Sequence, residues 1–542
     1  MRSLQAVAKR GLRAVAALIV VFVAIVILVT IANRINVAYP IVLVLGGMAI
    51  GYLPGVPTFP LPPDLVLVVF LPPLLYWESV TAPTSEFRAG AFWIFQMAFG
   101  LVIVTTLAVA AVAHGVVPGM SWGVAFVLGA IVSSTDEVAF AAIADQLNVP
   151  RHLIGTIEGE SLVNDATSLI LYAIGIAAVV GASFSLLHAA GELVLTIAES
   201  VLIGFASAVI ALLAWRGLKD ETLQATISVV VPFIAYLPAY YVGASGVLAT
   251  VTAGVVVSHW TPRVLQPRAR EMLTGFWAIV VFLLNAFIFT EVGIRFHGIV
   301  DGLRQYSPLQ LLWWGLAVAL TCVVVRLIWT FAQGLLPITN EPEHVSGKAD
   351  WSHVAVLGWT GMRGGVSLAA ALAIPLETVA GPFPFRNLLI FLTFVVLLVT
   401  LIGQGGTLPA LISWLGIKDD GAAVREERLA LKATANAGLQ KLDELARDGI
   451  YPLDVLELHR LRLQARLAEF AGGEATKAAQ KTAAFRQAQQ EIIAAERAKL
   501  IALRDHGKID NTVLRRLQRV FDLESVELQV LDTTGHMEEL QD

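Results

Sequence analysis

Charged residues are scarce in this chain of 542 residues. Asp, Glu, Lys and Arg together make up 15% of it, hydrophobic residues make up 57%, and the mean hydropathy is +0.74. Soluble globular domains carry about 25% charged residues. The composition therefore excludes the soluble class and places the chain among membrane proteins.

Several chemical signatures are also missing. The one cysteine, Cys322, lies in an apolar run, which excludes an intrachain disulfide and a cysteine metal cluster. The 10 histidines follow no metal-ligand spacing. We find no Walker-type phosphate loop and no nucleophile elbow. We therefore expect no cofactor, no ATP-driven step and no enzymatic activity, and the net charge of -5 gives no sign of nucleic-acid binding.

What the chain does have is a series of long apolar runs. A bilayer core needs roughly 20 apolar residues per spanning helix, which predicts about 13 transmembrane helices. The expected spans are 14–33, 39–53, 64–79, 90–117, 122–147, 153–181, 186–215, 222–237, 239–258, 272–294, 308–336, 351–375 and 386–415.

The chain changes character after this apolar part. Residues 417–542 are rich in Glu, Arg, Lys, Gln and Ala with helical spacing, which predicts a soluble helical domain for regulation or assembly. Basic residues cluster in loops such as those at Arg151, Arg216 and Arg263, which indicates a cytoplasmic C-terminus. The basic N-terminus is the exception to this orientation.

The densest group of ionisable residues lies between Glu158 and Ser168, where an apolar run begins. At about 100° per residue, one helical stripe holds Glu158, Ser161, Asp165, Ser168 and Tyr172, and the adjacent stripe holds Glu160, Asn164 and Thr167. Such a column of oxygens suits an alkali cation that sheds its water. An alternative is that these groups only join helices, but such contacts generally use Ser, Thr and Asn.

The preceding span contains two adjacent acids, Asp136 and Glu137, after Thr135. Adjacent helical residues point about 100° apart, so at most one of them faces the same partner as Asp165. We expect Asp136 to belong to the cation site. Glu137 is then either a bystander that is neutral or exposed to water, or an acid with a partner of its own.

A later span contains Arg363 among three glycines, Gly361, Gly364 and Gly365. Glycines there favour an unwound segment, and interrupted helices at corresponding positions of two halves point to a transporter's central site. Arg363 needs a carboxylate partner, and we expect Glu160 first and Glu158 second.

Such a structural ion pair would leave Asp165 as the acid for which protons and cations compete. Three other charges inside the apolar runs, Glu78, Glu291 and Arg326, are expected to lock helices together by pairing.

These motifs resemble the monovalent cation:proton antiporter-1 family, the sodium/proton exchangers of bacteria and eukaryotes. The resemblance covers nearly the whole membrane region and rests on segments that begin at Phe70, Gly129, Glu158, Gly246, Arg363 and Gln404. It implies a homodimer in which each protomer has a dimerisation domain and a six-helix core. It also implies inverted repeats, two crossed discontinuous helices and elevator-like alternating access.

The resemblance also implies roles for single residues. The family's ion-binding aspartate falls on Asp165 and its preceding asparagine on Asn164. The Thr-Asp pair falls on Thr135 and Asp136, and the buried ion pair on Glu160 and Arg363. Members with this asparagine resemble electroneutral exchangers of one proton per cation. Two acids depart from the family pattern: Glu137 stands where proline is common, and Glu291 where leucine is common.

The sequence thus indicates an all-α membrane protein of the cell (inner) membrane, with a transmembrane antiporter domain at 1–416 and a cytoplasmic helical domain at 417–542. We expect it to exchange Na+, or K+ or Li+, for protons, with membrane lipids around it. The expected ion site comprises Asp165, Asn164, Asp136, Thr135, Ser161 and Glu158, with Asp165 and Asp136 as direct cation ligands. The alternatives are a potassium/proton antiporter, or a cation channel or membrane sensor on the same fold.

Overall fold

We describe the protein from a computed structural model. The described residues are 19–35, 37–53, 66–82, 91–136, 149–180, 186–335, 351–379, 381–417, 421–469 and 489–503, with a few positions within 140–144, 344–349 and 506–521. Most of them are helical. Within these ranges the strands form two short antiparallel hairpins, His344–Val345 with Lys348–Ala349 (β1, β2) and Glu377–Thr378 with Gly381–Pro382 (β3, β4).

The apolar part consists of helices named α1 to α14. In chain order they are Ile19–Arg34, Tyr39–Gly51, Val66–Thr81, Phe92–Val116, Trp122–Ser133, Arg151–Val180, Leu186–Gly217, Glu221–Val242, Gly246–Val264, Pro267–Asp301, Pro308–Gly334, Trp351–Trp359, Gly365–Leu372 and Arg386–Leu415. Three of them contain π-helical turns, at Val66–Phe70 in α3, Gln96–Leu101 in α4 and Val399–Gly405 in α14.

The described helices include seven that are long and apolar enough to cross a membrane, and four shorter apolar ones. The chain is therefore a multi-pass membrane protein. The larger number of spans, about 13, stays a prediction, because two of the predicted spans are interrupted in the structure and several others are short.

Side-chain caps fix where several helices begin. Ser307 and Gln310 form a reciprocal capping box at the start of α11, with proline at its first position. Asp220 accepts from the N–H of Leu223 at 2.9 Å at the start of α8. These caps satisfy amide groups that a helix leaves unpaired at its first turn.

Two groups of helices share the apolar core. One buried cluster joins α7, α8 and α9 to α3 and α10, and includes Trp215 and Trp277. The other extends through α4, α5, α6 and α11 to α14, and also includes residues of α1, α2, α3, α8, α9 and α10. The helices α3, α8, α9 and α10 contribute residues to both clusters, so α3 and α10 lie where the two groups meet.

The helix α10 is held against α2 by glycines. A Cβ on Gly47 would meet the carbonyl oxygen of Thr290, and a Cβ on Gly293 would lie 2.9 Å from the Cα of Gly47. Small residues let two backbones approach this closely, which gives membrane helices their packing energy.

The two helices predicted to be discontinuous are interrupted where their polar residues lie. The helix α5 ends at Ser133 and residues 134–136 are not helical, while α12 ends at Trp359 and α13 begins at Gly365. The backbone N–H of Asp136 donates to the carbonyl of Met362 at 2.8 Å. This hydrogen bond brings the two interruptions together.

The chain divides into two compact units, Met1–Asp419 and Asp420–Asp542. In the second unit the described helices are Ala422–Asp448 (α15) and Leu453–Glu469 (α16), followed by a helical stretch at 489–503. The helices α15 and α16 pack against each other, and Arg460 of α16 pairs with Asp443 of α15 at 2.6 Å.

Candidate functional site

Arg363 holds the crossing of the two interrupted segments. In its guanidinium group, Nε donates to the carbonyl of Val132 at 2.8 Å and Nη1 donates to the carbonyl of Gly361. Its backbone N–H donates to Oγ1 of Thr400 at 3.2 Å. Backbone groups without partners are costly inside a membrane. Arg363 therefore supplies donors to carbonyls that the broken helices leave unpaired.

Thr135 joins this crossing to α6. Its hydroxyl donates to Oε1 of Glu160 at 3.3 Å and accepts from Nδ2 of Asn164 at 2.7 Å. Its carbonyl accepts from the hydroxyl of Ser161 at 2.8 Å. Because these contacts fix residue 135 on both sides, they also fix the direction of the next residue, Asp136.

The partner of Glu160 differs from the one that the sequence favours. The sequence indicates Arg363, but the structure pairs Glu160 with Arg326 of α11, with both side chains about 1% exposed. Nη1 and Nη2 of Arg326 donate to the two carboxylate oxygens, the second at 2.8 Å. The sequence alone does not show whether Arg326 or Arg363 faces α6, because the answer depends on how α11 packs against α6.

A small cavity lies next to the crossing. Its volume is about 10 Å³, close to the least space that holds one water molecule. Three carboxylates line it, those of Glu78, Asp136 and Asp165. The other lining residues are Ser134, Thr135, Ser161, Asn285, Gly364, Gly365, Val366 and Ser367.

The carboxylate of Asp165 is buried and under-coordinated. The residue is 4% exposed, and its Oδ1 has no hydrogen-bond partner. Three carboxylates around so small a space repel one another. A proton or a cation in the cavity would relieve that repulsion.

Gly364 leaves room for the carboxylate of Asp136 in the cavity wall. A Cβ on Gly364 would overlap the carboxylate of Asp136. The hydroxyls of Ser134 and Ser367 lie 3.1 Å apart across the same crossing. The glycine at this position thus lets an acid from one broken helix lie directly against the backbone of the other.

The sequence also singles out three further acids, Glu158, Glu137 and Glu291. The sequence assigns Glu158 to the ion site. In the structure it is half-buried and is not among the described residues that line the cavity. It precedes Asp165 by two helical turns, about 10 Å along the axis, which is too far for one small cavity. Glu137 lies outside the described residues. Glu291 is fully buried and pairs with Arg295 at 2.9 Å on its own helix.

Comparison with known proteins decides the family. The family model described as "Sodium/hydrogen exchanger, transmembrane" matches residues 19–414. The chain belongs to the sodium/hydrogen exchanger family. Its members are cation/proton antiporters, which makes this exchanger a transporter and not an enzyme.

Relatives of this exchanger share most of its length. An uncharacterised Na+/H+ exchanger of Mycobacterium tuberculosis is 33% identical over 526 residues, 94% of this chain and 95% of the relative. A sodium, potassium, lithium and rubidium/H+ antiporter of Bacillus subtilis is 30% identical over 412 residues, 72% of this chain and 61% of the relative.

The fold has a solved counterpart. The sodium proton antiporter MjNhaP1 of Methanocaldococcus jannaschii superposes with a TM-score of 0.59 at 17% sequence identity. The match covers 72% of this chain and 99% of that one.

Sequence reasoning missed part of the exchanger's site. The sequence predicts a structural charge at Glu78 and gives no role to Asn285, yet both line the cavity. The available signal was the same for each: one polar side chain inside an apolar run. That signal locates a polar residue in the membrane but does not say which other residues it meets.

Proposed function

We propose that this exchanger swaps an alkali cation for a proton at the cavity formed by Asp165, Asp136 and Glu78. The observation that carries the proposal is a buried, under-coordinated aspartate beside two further carboxylates and several hydroxyls. Oxygen ligands of this kind bind hard cations. Asp165 alternately carries the proton and binds the cation, because one carboxylate cannot do both.

The proposed exchange is electroneutral, with one proton for one cation. Glu160 is neutralised by Arg326, so this pair adds no net charge to the site. Asn164 is uncharged and donates to Thr135, which leaves Asp165 as the acid on this turn of α6 that takes part in exchange. Together with its proton or its monovalent cation, the site then carries the same charge in both loaded states.

Alternating access fits the position of the cavity. Asp136, Ser367 and Asp165 come from the crossing and from α6, whereas Glu78 and Asn285 come from α3 and α10 at the boundary between the helix groups. We propose that the crossing and α6 move together past α3 and α10, as in an elevator. The burial of Asp165 favours such a carrier over an open pore.

Sodium is the first cation to test, with potassium and lithium beside it. The name of the Bacillus subtilis relative includes all three ions. We further propose a homodimer with inverted repeats in the cell membrane. We place its helical unit after residue 419 in the cytoplasm.

The deciding experiment is exchange in proteoliposomes. Vesicles with an acidic lumen receive external Na+, K+ or Li+, and the lumenal pH is followed with and without a clamp on the membrane potential. We expect the lumen to become alkaline at a rate that the clamp does not change. Asp165→Asn should lower that rate by at least about 100-fold, since it removes the exchanging carboxylate.

The matched control is Asp301→Asn, which neutralises an exposed aspartate at the end of α10. This variant should exchange at the wild-type rate. Undiminished exchange by purified Asp165→Asn would refute the assignment of the site. Net current that follows voltage would indicate a channel instead, and no flux of any cation in folded protein would favour a sensor.

A further inference from the structure

Asn285 is a polar residue in the wall of the ion cavity that the proposed exchange does not yet use. It lies in the middle of α10 and is 4% exposed. It lines the cavity with Asp136 and Asp165, and its Nδ2 has no hydrogen-bond partner. A buried amide donor without a partner is unfavourable in a membrane, which suggests that it meets one during transport.

The amide of Asn285 is confined on its other side by the start of α13. A Cβ on Gly365 would lie 2.9 Å from its Oδ1, closer than atoms in ordinary contact. The amide therefore fills the space that a side chain at residue 365 would occupy. Since the cavity measures about 10 Å³, small changes in the volume of this amide change a large part of the space beside the carboxylates.

An amide suits a cation site in which charge is already supplied. Its oxygen is a hard, neutral ligand for a cation. When the amide group rotates by about 180°, its NH2 group instead faces a carboxylate or a water that accompanies the cation. It can thus contribute to binding without adding to the repulsion among Glu78, Asp136 and Asp165.

We propose that Asn285 selects among alkali cations by fixing the size of the cavity from the α10 side. The inference rests on the proposed exchange at Asp165 and goes beyond it, because it assigns selectivity to a helix outside the crossing. The carboxylates attract any monovalent cation. The confined amide limits how large that cation can be.

Two substitutions that change the size of the cavity in opposite directions test the proposal in proteoliposomes. Asn285→Ala enlarges the cavity, and we expect the ratio of apparent KM values for K+ and Na+ to fall about tenfold. Asn285→Gln keeps the amide and adds a methylene, and we expect the same ratio to rise. A change in this ratio reports selectivity, whereas a purely structural role would lower the rates for all ions alike.

The matched control is Asn387→Ala, which shortens an exposed asparagine of α14 and should leave the ratio unchanged. If either Asn285→Ala or Asn285→Gln does not fold, the remaining variant is measured together with Asn285→Ser. An unchanged ratio in active variants would overturn the inference and leave the exchange function intact. Loss of exchange for every cation in folded variants would also overturn it, since Asn285 would then be required for transport itself.

A wild-type protein that exchanges no cation would instead overturn the proposed function, and the inference would fall with it. The two failures are thus distinguishable by the wild-type measurement.

Discussion

At the scale of single residues, Glu160 and Arg326 form a buried ion pair beside the candidate site. Both groups are almost fully buried, and Glu160 also accepts from Thr135. A charge left without its partner in such a place costs several kcal/mol. The pair therefore helps to hold Thr135, the residue that precedes Asp136.

We expect Arg326→Gln and Glu160→Gln each to destabilise the protein by about 3–5 kcal/mol, because each leaves an uncompensated buried charge. The double variant should lose less than the sum of the two, since neither charge remains. Thermal unfolding in detergent measures both effects. Arg304→Gln, which breaks an exposed pair with Asp301, is the control and should unfold like wild type. Melting of Arg326→Gln at the wild-type temperature would contradict the expectation.

At the scale of elements, the close approach of the two broken helices depends on glycine. Gly364 lies directly against the carboxylate of Asp136, and no other residue fits there without displacing it. The same logic applies to Gly47 and Gly293, where α2 and α10 touch. At these two places the helices approach closely because the residues between them have no side chain.

Gly364→Ala should therefore abolish or strongly reduce exchange, by at least about 100-fold, while the helices remain formed. Its Cβ must push Asp136 out of the cavity wall, and a displacement of about 1 Å at a site of this kind can cost that much. The measurement is proteoliposome exchange beside circular dichroism. Gly275→Ala, at a helical glycine with nothing within 4 Å, is the control and should be active. Normal exchange by Gly364→Ala would show that Asp136 can leave its observed position.

At the scale of the whole molecule, the proposed exchange requires protons and cations to meet at one buried site. Both helix groups contribute residues to the walls of the candidate cavity, so the proposed cation site needs both groups. The helical unit that follows residue 419 has its own internal packing. The transport chemistry we propose is contained entirely in the first unit.

Competition at one carboxylate makes a quantitative prediction about pH. On the acidic limb of the profile, lowering the pH by one unit should raise the apparent KM for Na+ about tenfold, because a proton occupies the group that the cation needs. The maximal rate should be recovered at high Na+. Initial rates measured over Na+ concentration at several symmetrical pH values test this. A KM that stays constant while the maximal rate falls would mean that the two ions bind at separate groups.

The sequence by itself determined the class of the protein and singled out several residues of the candidate site. Apolar runs predict membrane helices because an apolar bilayer requires them, and glycines beside Arg363 predict a break because they destabilise a helix. The pairs Thr135 with Asp136 and Asn164 with Asp165 could be singled out because polar groups in an apolar run are costly. All four lie together in the structure.

The tertiary structure alone decided which residues from distant helices complete the site. Arg326 and Arg363 both lie in apolar spans, and the packing of α11 against the crossing brings Arg326 to Glu160. Glu78 and Asn285 reach the cavity because α3 and α10 lie at the boundary of the two helix groups. The physical reason is that a sequence fixes which face of a helix is polar, whereas the neighbour of that face depends on packing between segments far apart in the chain.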